Sequence, residues 1–494
     1  MASEPAPSAK YPSQPPPISD GKNPHVMIVG AGLAGLLLAI FLDKAGIPYQ
    51  IYERAKKVKP LGGVMSLNAG IFPALEQVGV YEELLKVSLA ATGGFNIFNA
   101  NLTRIASVKA EFSEVIGYDR VVFSRPDFYD ILLSKVPREN IHFGKKVMSL
   151  EQNREGVMIR CADGTTYHGD ILVGADGAYS GVRQALYKRL GKAETLPPSD
   201  ADDLNKGFIC MVGTTDPVDP AKYPGVDDNG AHCNQIIGKN NNYSWSAFSV
   251  PGNRICWNAV LQLPSVKEAS EHKFKNSEWG PETSEPMIKE VRDFLIPFGS
   301  KTLGDLINET PRDNISRVFL EDKLFETWNH GRTVLIGDGM FTFDWPCHKL
   351  LPSAGLGAVT AMQDAVVLAS CLYEMKGLTP LDIKEALDSY KDERFFRVKE
   401  QFNASKMSAK LIYGQSMFER LLRVVIFNWL PESVKMKGSI KGVEFRPQAT
   451  FLPQIPARGI APVLPQKASQ RYQEEQKRAY SGVATNANAV ASVI

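Results

Sequence analysis

The pattern of apolar and polar positions near the start of the chain predicts a strand, a turn and a helix. The stretch HVMIVGAGLAGLLLAIFLDKAGIPYQIYER, residues 25–54, begins with a short apolar run rich in branched side chains. Glycines follow, then apolar residues at helical spacing, then a second apolar run that ends at Glu53. This order predicts one βαβ unit, the element from which parallel sheets are built. We therefore expect an α/β fold whose first domain opens with this unit.

The pattern changes after a stretch rich in Pro and Asp at residues 194–206. Residues 207–263 favour strands, and NYSWSAFSVPGNRICWNAVLQL predicts two antiparallel strands joined at Pro251–Asn253. A buried-strand pattern, TVLIGD, returns at residues 333–338. The first domain is therefore expected to be completed by sequence that follows the second domain. Beyond about Leu372 the pattern is helical and charged.

These patterns together predict an α/β fold class with a Rossmann-type dinucleotide-binding domain, a smaller mixed-sheet domain interleaved with it, and a helical C-terminal extension. The expected divisions are a disordered N-terminal arm at 1–23, the first part of the dinucleotide-binding domain at 24–200, the second domain with its antiparallel sheet at 201–318, the second part of the dinucleotide-binding domain at 319–375, a helical and irregular region at 376–465, and a disordered tail at 466–494.

The glycines of GAGLAG have the spacing that a strand-to-helix turn around a dinucleotide requires. Gly30 permits the tight turn, Gly32 lets the backbone approach a pyrophosphate, and Gly35 lets the helix lie close to the strand. The helix N-terminus then offers free N–H groups and a partial positive charge to the phosphates. Glu53, at the end of the second strand, is placed to accept hydrogen bonds from an adenosine ribose.

Composition and charge narrow the class of protein. The chain has 494 residues, of which 44% are hydrophobic and 22% charged, so it is long enough to bury more than one core. A formal charge of +2 leaves no excess of Lys and Arg to neutralise a phosphate backbone, and no basic stripe with interleaved aromatics occurs. Nucleic acid is therefore not an expected partner.

The six cysteines are scattered without a C-x-x-C pair, the seven histidines form no ligand pattern, and no metal site is expected. Residues 1–23 lack the apolar core of a signal peptide, and we expect an intracellular, cytoplasmic protein. The apolar run LLRVVIFNWL at 421–430 is about half of the roughly 20 residues that a membrane-spanning helix needs. A helix packed on the domain core is the favoured interpretation, and peripheral membrane contact is the alternative.

Two further motifs occur in order after GAGLAG. They are DILVGADGAYSGVR at 170–183, and TVLIGD followed later by LLPSAGLGAVTAMQDAVVLA at 350–369. The three together resemble the motifs of the flavin-dependent monooxygenases of the para-hydroxybenzoate hydroxylase type, the single-component group A enzymes. The resemblance covers about residues 26–373. It implies FAD in the Rossmann-type domain, a substrate domain in the second, and no separate domain for the nicotinamide cofactor.

The resemblance also implies which residues contact FAD. Arg125, at the start of a helix, would reach the phosphates, although an exposed arginine at a helix start is the alternative. Asp176 would border FAD and the groove for NAD(P)H, or would only hold a turn. Asp338 would accept hydrogen bonds from the ribityl chain. The implied cofactor-binding residues are Gly30, Gly32, Gly35, Glu53, Val64, Arg125, Asp176, Asp338, Gly355, Gly357 and Ala358.

Four of these positions belong to two segments that resemble the surroundings of the flavin ring. Val64 ends GGV, a degenerate match to the loop that covers the flavin. Gly355, with Gly357 and Ala358, matches the helix start that lies under the isoalloxazine ring. Ser180 and Arg183 match the remainder of the second motif.

No catalytic side chain is assigned, because the sequence presents no nucleophile beside a base. The resemblance implies that NAD(P)H reduces FAD, that O2 adds to give a flavin C4a-hydroperoxide, and that one oxygen atom passes to a small organic substrate by hydroxylation or epoxidation. The aromatic residues Tyr243, Trp245 and Trp257 are candidates for lining the substrate space, but strand aromatics more often form core. The segment at 444–459 resembles one in relatives from secondary metabolism and favours a polycyclic or prenylated substrate.

Two other functions stay open at this point. A flavin oxidoreductase that inserts no oxygen would share the FAD motifs. A catalytically impaired FAD-binding relative is the second alternative, because nine residues separate Asp338 from His348, and the family has about two there. Removing Met340–Pro346 would restore the family's spacing. The excursion then either folds aside while FAD still binds, or is a segment that splicing normally removes, or abolishes flavin binding.

Overall fold

The structure is a computed structural model that describes residues 23–57, 63–108, 113–202, 205–239, 242–263, 284–343, 356–413, 417–429 and 431–478. The strands are β1 Val26–Val29, β2 Tyr49–Glu53, β3 Val64–Leu67, β4 Leu89–Ala90, β5 Phe95–Asn99, β6 Arg104–Val108, β7 Val121–Ser124, β8 Ile141–Phe143, β9 Val147–Gln152, β10 Val157–Cys161, β11 Thr166–Gly169, β12 Ile171–Gly174, β13 Asn205–Thr214, β14 Cys233–Ile237, β15 Tyr243–Val250, β16 Arg254–Gln262, β17 Leu295–Ile296, β18 Lys301–Thr302, β19 Ser316–Leu324, β20 Asn329–His330, β21 Thr333–Leu335 and β22 Phe341–Phe343. The helices are α1 Leu33–Lys44, α2 Phe72–Gln77, α3 Tyr81–Lys86, α4 Ser113–Ile116, α5 Arg125–Ser134, α6 Gly181–Lys192, α7 Pro198–Ala201, α8 Glu285–Val291, α9 Leu303–Asn308, α10 Leu356–Tyr373, α11 Pro380–Tyr413, α12 Met417–Val424 and α13 Glu432–Lys441.

The predicted βαβ unit lies at the centre of a six-stranded sheet with the order β20-β21-β12-β1-β2-β8. Strands β1, β2, β8, β12 and β21 are parallel, and only the short edge strand β20 runs antiparallel to its neighbour. Helix α1 packs against α10, which comes from the far end of the chain. The Rossmann-type α/β class is therefore confirmed, including its completion by sequence that follows the second domain.

The second domain is built on an eight-stranded sheet with the order β22-β19-β13-β16-β15-β14-β5-β6. Its central strands pair antiparallel, as the sequence predicts. The hairpin between β15 and β16 turns at Gly252 and Asn253, which both have positive φ angles. The turn between these two strands lies where the Pro-Gly-Asn sequence predicts it.

The eight-stranded sheet extends beyond the division expected from sequence. Its strands β5 and β6 lie within the 24–200 region, and β22 lies within the 319–375 region. Sheet edges present unpaired N–H and C=O groups, so strands distant along the chain can join there. The local apolar pattern contains no information on these pairings. The expected range 201–318 therefore leaves out strands that belong to the sheet.

One face of the eight-stranded sheet packs against α8 and α9 in a closed apolar core. Tyr243, Trp245 and Trp257 all belong to this core, and at most 6% of each side chain is exposed. The Trp245 indole donates to the Leu295 carbonyl at 2.8 Å, and the Trp257 indole donates to the Thr310 hydroxyl at 2.9 Å. The interpretation of these aromatics as core is confirmed.

The C-terminal region is helical through α13 and then returns along the Rossmann-type domain as irregular chain. The Arg446 guanidinium donates to the Ile116 carbonyl at 2.9 Å. A Cβ on Gly459 would lie 2.5 Å from the Gly117 nitrogen, and a Cβ on Gly117 would lie 2.3 Å from the carbonyl carbon of Arg458. Residues 470–478 are helical. In the part of the chain that the structure describes, no helix combines the length and apolar character needed to cross a bilayer.

Candidate cofactor site

Two glycines of the first motif are required by packing between the strand and the helix. Gly30 has a φ of +105°, and a Cβ there would lie 2.5 Å from the carbonyl oxygen of Ala175. A Cβ on Gly35 would lie 2.1 Å from the carbonyl oxygen of Gly30. Both distances are far below contact, so these glycines let β1, α1 and the second motif approach one another.

Gly32 differs because a Cβ there would meet no described atom nearer than the Ala175 carbonyl oxygen, at 4.0 Å. It is the N-cap residue of α1, and no side chain caps this helix. The described residues therefore leave space beside Gly32 at the start of α1, where no side chain caps the first helical N–H groups. A pyrophosphate fits this cradle, since uncapped helix N-termini bind phosphate through backbone N–H groups and the helix dipole.

Glu53 lies at the carboxyl end of β2 beside the same turn. One carboxylate oxygen accepts a hydrogen bond from the Ala31 N–H at 2.9 Å, and the other accepts from the Ala55 N–H at 2.8 Å. These two bonds fix the carboxylate at the edge of the glycine turn. Rossmann-type sites bind the adenosine ribose at this location.

The second motif ends β12 and begins α6. The Asp176 carboxylate accepts hydrogen bonds from the Ser180 hydroxyl at 2.5 Å, the Gly181 N–H at 2.6 Å and the Val182 N–H at 3.2 Å. It therefore caps α6, which agrees with the alternative that this carboxylate holds a turn. Direct contact between Asp176 and FAD stays a prediction.

Arg183 joins the second motif to the third. Its side chain is buried, one guanidinium nitrogen donates to the Gly339 carbonyl at 2.8 Å, and another donates to the Ala178 carbonyl at 2.5 Å. The guanidinium also lies over the Phe325 ring, 4.3 Å from its centroid. The sequence identifies Arg183 as part of the second motif but contains no signal that its partner is 156 residues away.

The third motif forms a tight turn that is hydrogen-bonded to residues of α10 and α11. Gly337 has a φ of +59°, and its N–H donates to the Asp364 carboxylate of α10 at 3.1 Å. Asp364 forms an ion pair with Arg394 of α11 at 2.6 Å, and both side chains are fully buried. The Tyr390 hydroxyl of α11 donates to the Leu335 carbonyl at 3.3 Å. Asp364 lies within the third motif, whereas Tyr390 and Arg394 belong to none of the motifs that the sequence shows.

Asp338 follows Gly337 and lies where the three motifs meet. Burial raises the pKa of its carboxyl group to about 6, opposed by the positive charges of Arg125 and Arg183 and reinforced by the negative charge of Asp364. Arg125 comes from α5, Arg183 from the second motif and Asp364 from α10. The charges that act on Asp338 therefore show that elements far apart in sequence converge on this carboxylate.

Arg125 begins α5, as expected, and its backbone N–H donates to the Gly63 carbonyl at 3.1 Å. This bond ties α5 to the segment that precedes Val64, a residue buried between the sheets. Gly357 and Ala358 lie half-buried in the first turn of α10. Gly62 and Gly355 lie outside the described residues, and their expected contacts with the flavin stay predictions.

The first residues of the excursion after Asp338 belong to the core and to a strand. Met340 is fully buried, and its carbonyl accepts from the Phe325 N–H at 3.0 Å. Phe341–Phe343 forms β22, which pairs antiparallel with β19 so that Thr342 lies opposite Lys323. The first residues of the excursion thus pass from the end of the Rossmann-type sheet directly onto the edge of the other sheet. The rest of the excursion, with His348, lies outside the described residues.

A parallel sheet with a glycine turn and an uncapped helix start beside it defines a dinucleotide-binding protein of the Rossmann type. The sequence profile described as the FAD binding domain matches residues 23–206 and 234–423. The chain belongs to this FAD-binding domain family. The resemblance to flavin-dependent monooxygenases and the expectation of FAD as cofactor are thereby confirmed.

Characterised relatives span most of the chain. The FAD-dependent monooxygenase ausM of Emericella nidulans is 27% identical over 445 residues, which cover 87% of this chain and 87% of that protein. The FAD-dependent monooxygenase paxM of Penicillium paxilli is 29% identical over 422 residues, 81% of each chain. Klebsiella pneumoniae HpxO, solved with FAD and uric acid, shares the fold with a TM-score of 0.67 at 19% identity, covering 86% of this chain and 97% of that one.

Proposed function

We propose that the protein is an NAD(P)H-dependent monooxygenase that transfers one oxygen atom from O2 to an apolar organic substrate, by hydroxylation or epoxidation. In the balanced reaction, NAD(P)H, a proton, O2 and the substrate give NAD(P)+, water and the oxygenated product. Bound FAD supplies the redox chemistry that links NAD(P)H to O2. The polycyclic or prenylated substrate class rests on the tail motif at 444–459 and on the fungal relatives.

The observation that carries this proposal is the convergence of the second motif, the third motif and the start of α5 on one carboxylate. Arg183 binds the Gly339 carbonyl, and the charges of Arg125, Arg183 and Asp364 act on Asp338. A protein that had lost flavin binding would have no need for this arrangement, which holds an acid whose raised pKa lowers stability at neutral pH. The arrangement forms in the described residues although residues 340–343 of the excursion follow it directly, which favours a working cofactor site.

Each element of the site has a distinct task in this proposal. The N-terminus of α1 and Arg125 hold the FAD phosphates. Glu53 accepts hydrogen bonds from the adenosine ribose, and ionised Asp338 accepts them from the ribityl chain. The face of the eight-stranded sheet opposite α8 and α9 covers the substrate and keeps water from the reacting atoms.

The test is a turnover experiment with isotopically labelled oxygen. Purified holoprotein is given NADH or NADPH and a panel of polycyclic and prenylated compounds under 18O2. Consumption of the reduced cofactor with one 18O atom per product molecule supports the proposal. Cofactor oxidation accompanied by a reduced substrate and no oxygen uptake would instead identify an oxidoreductase without oxygen insertion. Purified protein without bound FAD would identify an impaired relative.

We also propose that the protein acts inside the cell and that residues 421–430 contact a membrane surface. Phe418, Leu421, Val425 and Trp429 recur at helical spacing and have exposed fractions between 43% and 79%. Ile426, by contrast, is partly buried and packs against the core of the second domain. This amphipathic segment would lie in the interface of a bilayer, from which apolar substrates partition.

Vesicle sedimentation tests this contact. Holoprotein should pellet with phosphatidylcholine vesicles, and the variant Trp429→Ala should pellet less because it loses the largest exposed side chain. The matched control is Phe396→Ala, which removes an exposed aromatic from α11 outside the 418–429 stripe. Equal loss in the two variants, or no pelleting of the wild type, would contradict the proposal.

A further inference from the structure

A hairpin of the second domain reaches the helix that begins with Arg125. Strand β15 contacts β7, the strand that leads directly into α5. Phe248 and Val250 of β15 lie in one apolar cluster with Val122 of β7. The end of β15 and the turn that follows it therefore lie close to the start of α5, where the two domains meet.

An ion pair continues this contact from the hairpin onto α5. Arg254 is the first residue of β16, directly after the turn at Gly252 and Asn253. Its Nη2 donates to the Asp127 carboxylate at 2.6 Å, and its Nε donates to the Pro251 carbonyl at 3.0 Å. The second bond holds the guanidinium against its own turn. Only 26% of the Arg254 side chain and 25% of the Asp127 side chain are exposed, so the pair is largely shielded from water.

The start of α5 also lies beside both ends of the proposed FAD site. Burial raises the pKa of Tyr129, one turn after Arg125, to about 12, reinforced by the negative charge of Glu53 and opposed by the positive charge of Arg125. The charge of Arg125 acts on Asp338 as well. In the proposed function Glu53 binds the adenosine ribose and Asp338 the ribityl chain, and the diphosphate of FAD joins these two parts. The position of Arg125 between them suits a diphosphate.

Asp127 places a negative charge in the same helical turn as Arg125. This charge acts one turn further along the helix, because burial and then the charge of Asp127 raise the pKa of Asp130. A diphosphate bound at Arg125 would be repelled by the Asp127 carboxylate unless a cation compensates it. Arg254 supplies such a cation from the other domain.

We propose that Arg254 is a positioning residue for FAD: its ion pair with Asp127 fixes the first turn of α5 and compensates the carboxylate there, so that Arg125 binds the FAD diphosphate. Arg254 acts through α5 and does not touch the cofactor. The proposal rests on the task that the proposed function gives to Arg125. It makes FAD affinity depend on contact between the second domain and the Rossmann-type domain.

Release of FAD from the holoprotein tests this role. Holoprotein is diluted, and the rise in flavin fluorescence gives the dissociation constant. Arg254→Met keeps the apolar stem of the side chain and removes its charge, so it should weaken FAD binding about 3- to 30-fold at low salt. The difference from wild type should shrink at high salt, because salt screens charges that are partly exposed.

Exchange of the two charges separates this role from packing. Arg254→Glu should weaken FAD binding more than Arg254→Met, because it places a second carboxylate beside Asp127. The double variant Arg254→Glu with Asp127→Lys restores an oppositely charged pair and should bind FAD within about threefold of wild type. The matched control is Arg312→Met, which removes the arginine of another ion pair of the second domain, 2.7 Å from Glu285. It should leave FAD affinity unchanged.

Urea unfolding of the apoproteins completes the test. Arg254→Met and Arg312→Met should lower the free energy of unfolding by similar small amounts, since both break partly exposed ion pairs. The proposal is overturned if Arg254→Met binds FAD as tightly as wild type, or if the double variant binds no better than Arg254→Glu alone. A much larger loss of stability in Arg254→Met than in Arg312→Met also overturns it, because Arg254 would then serve the fold.

Arg125→Met distinguishes this proposal from the one on which it rests. If Arg125→Met holds FAD as tightly as wild type, the task given to Arg125 fails, and the role of Arg254 fails with it. If Arg125→Met holds FAD weakly and Arg254→Met does not, only the role of Arg254 fails. If the FAD affinities change as expected while no labelled oxygen is transferred, the monooxygenase function fails and the role of Arg254 stands.

Discussion

Substitution of Gly32 by alanine separates cofactor binding from folding. A Cβ there lies 4.0 Å from the nearest described atom, and Gly32 has a φ of −79°, which any residue adopts. The apoprotein should therefore keep its free energy of unfolding within about 0.5 kcal/mol. A pyrophosphate that approaches the backbone would instead meet the added methyl group. Crowding by one methyl group costs about 1–3 kcal/mol, which corresponds to roughly 5- to 150-fold weaker FAD binding.

Two other glycines serve as controls. Gly191→Ala adds a methyl group near the end of α6, where no described atom outside the helix backbone lies within 4 Å. It should leave FAD affinity unchanged and should raise the free energy of unfolding by at most about 1 kcal/mol, because alanine has the higher helix propensity. Gly35→Ala drives a methyl group to 2.1 Å from the Gly30 carbonyl oxygen. It should destabilise the apoprotein itself. The three variants thus differ in whether the added group meets open space, solvent or backbone.

The assay has two parts. Apoprotein is titrated with FAD by the quenching of flavin fluorescence, and its unfolding is followed in urea without FAD. The reasoning is refuted if Gly32→Ala binds FAD within twofold of wild type. It is refuted equally if this variant loses more than about 1 kcal/mol of apoprotein stability, since the space beside Gly32 would then belong to the fold.

Three further predictions concern the third motif. Burial raises the pKa of Asp338 from 3.8 to about 6, so the folded apoprotein retains a proton across this range and loses stability as the pH rises through it. Asp338→Asn should have the same free energy of unfolding as wild type near pH 4, and a value about 1–3 kcal/mol higher than wild type at pH 7.5. Equal stability of the two proteins at pH 7.5 would contradict this prediction. Arg394→Met should cost about 3–5 kcal/mol in urea unfolding because Asp364 is left as a buried charge, and the double variant with Asp364→Asn should recover part of that loss. Deletion of residues 340–346 should lower the unfolding free energy by at least about 2 kcal/mol, since it removes fully buried Met340 and strand β22; a more stable deletion variant would show that the excursion is foreign to the fold.

The features that sequence predicts well have causes confined to a few consecutive residues. The roles of Gly30 and Gly35 follow from steric rules for a turn between strand and helix, and both contacts occur. The hairpin at Gly252 and Asn253 likewise depends on local turn chemistry. Arg125 begins a helix because Pro126 follows it and favours the first helical turn.

The features that sequence misses depend on partners far along the chain. The bond between Arg183 and the Gly339 carbonyl joins residues 156 positions apart. Gln235, Ser246 and Asn258 lie side by side across β14, β15 and β16 only because of the strand register. Each of these residues by itself is an ordinary polar residue in a strand, and only the pairing of strands shows that they form a group.

The excursion between Asp338 and His348 shows how the two kinds of information combine. Its sequence interrupts a motif, which by itself permits a working site or a damaged one. In the structure, Met340 enters the core and Phe341–Phe343 becomes an edge strand on β19, which begins at Ser316. The charges of Arg125 and Arg183 act on Asp338 because this residue lies within the Gly337–Gly339 turn, before the chain leaves the Rossmann-type sheet.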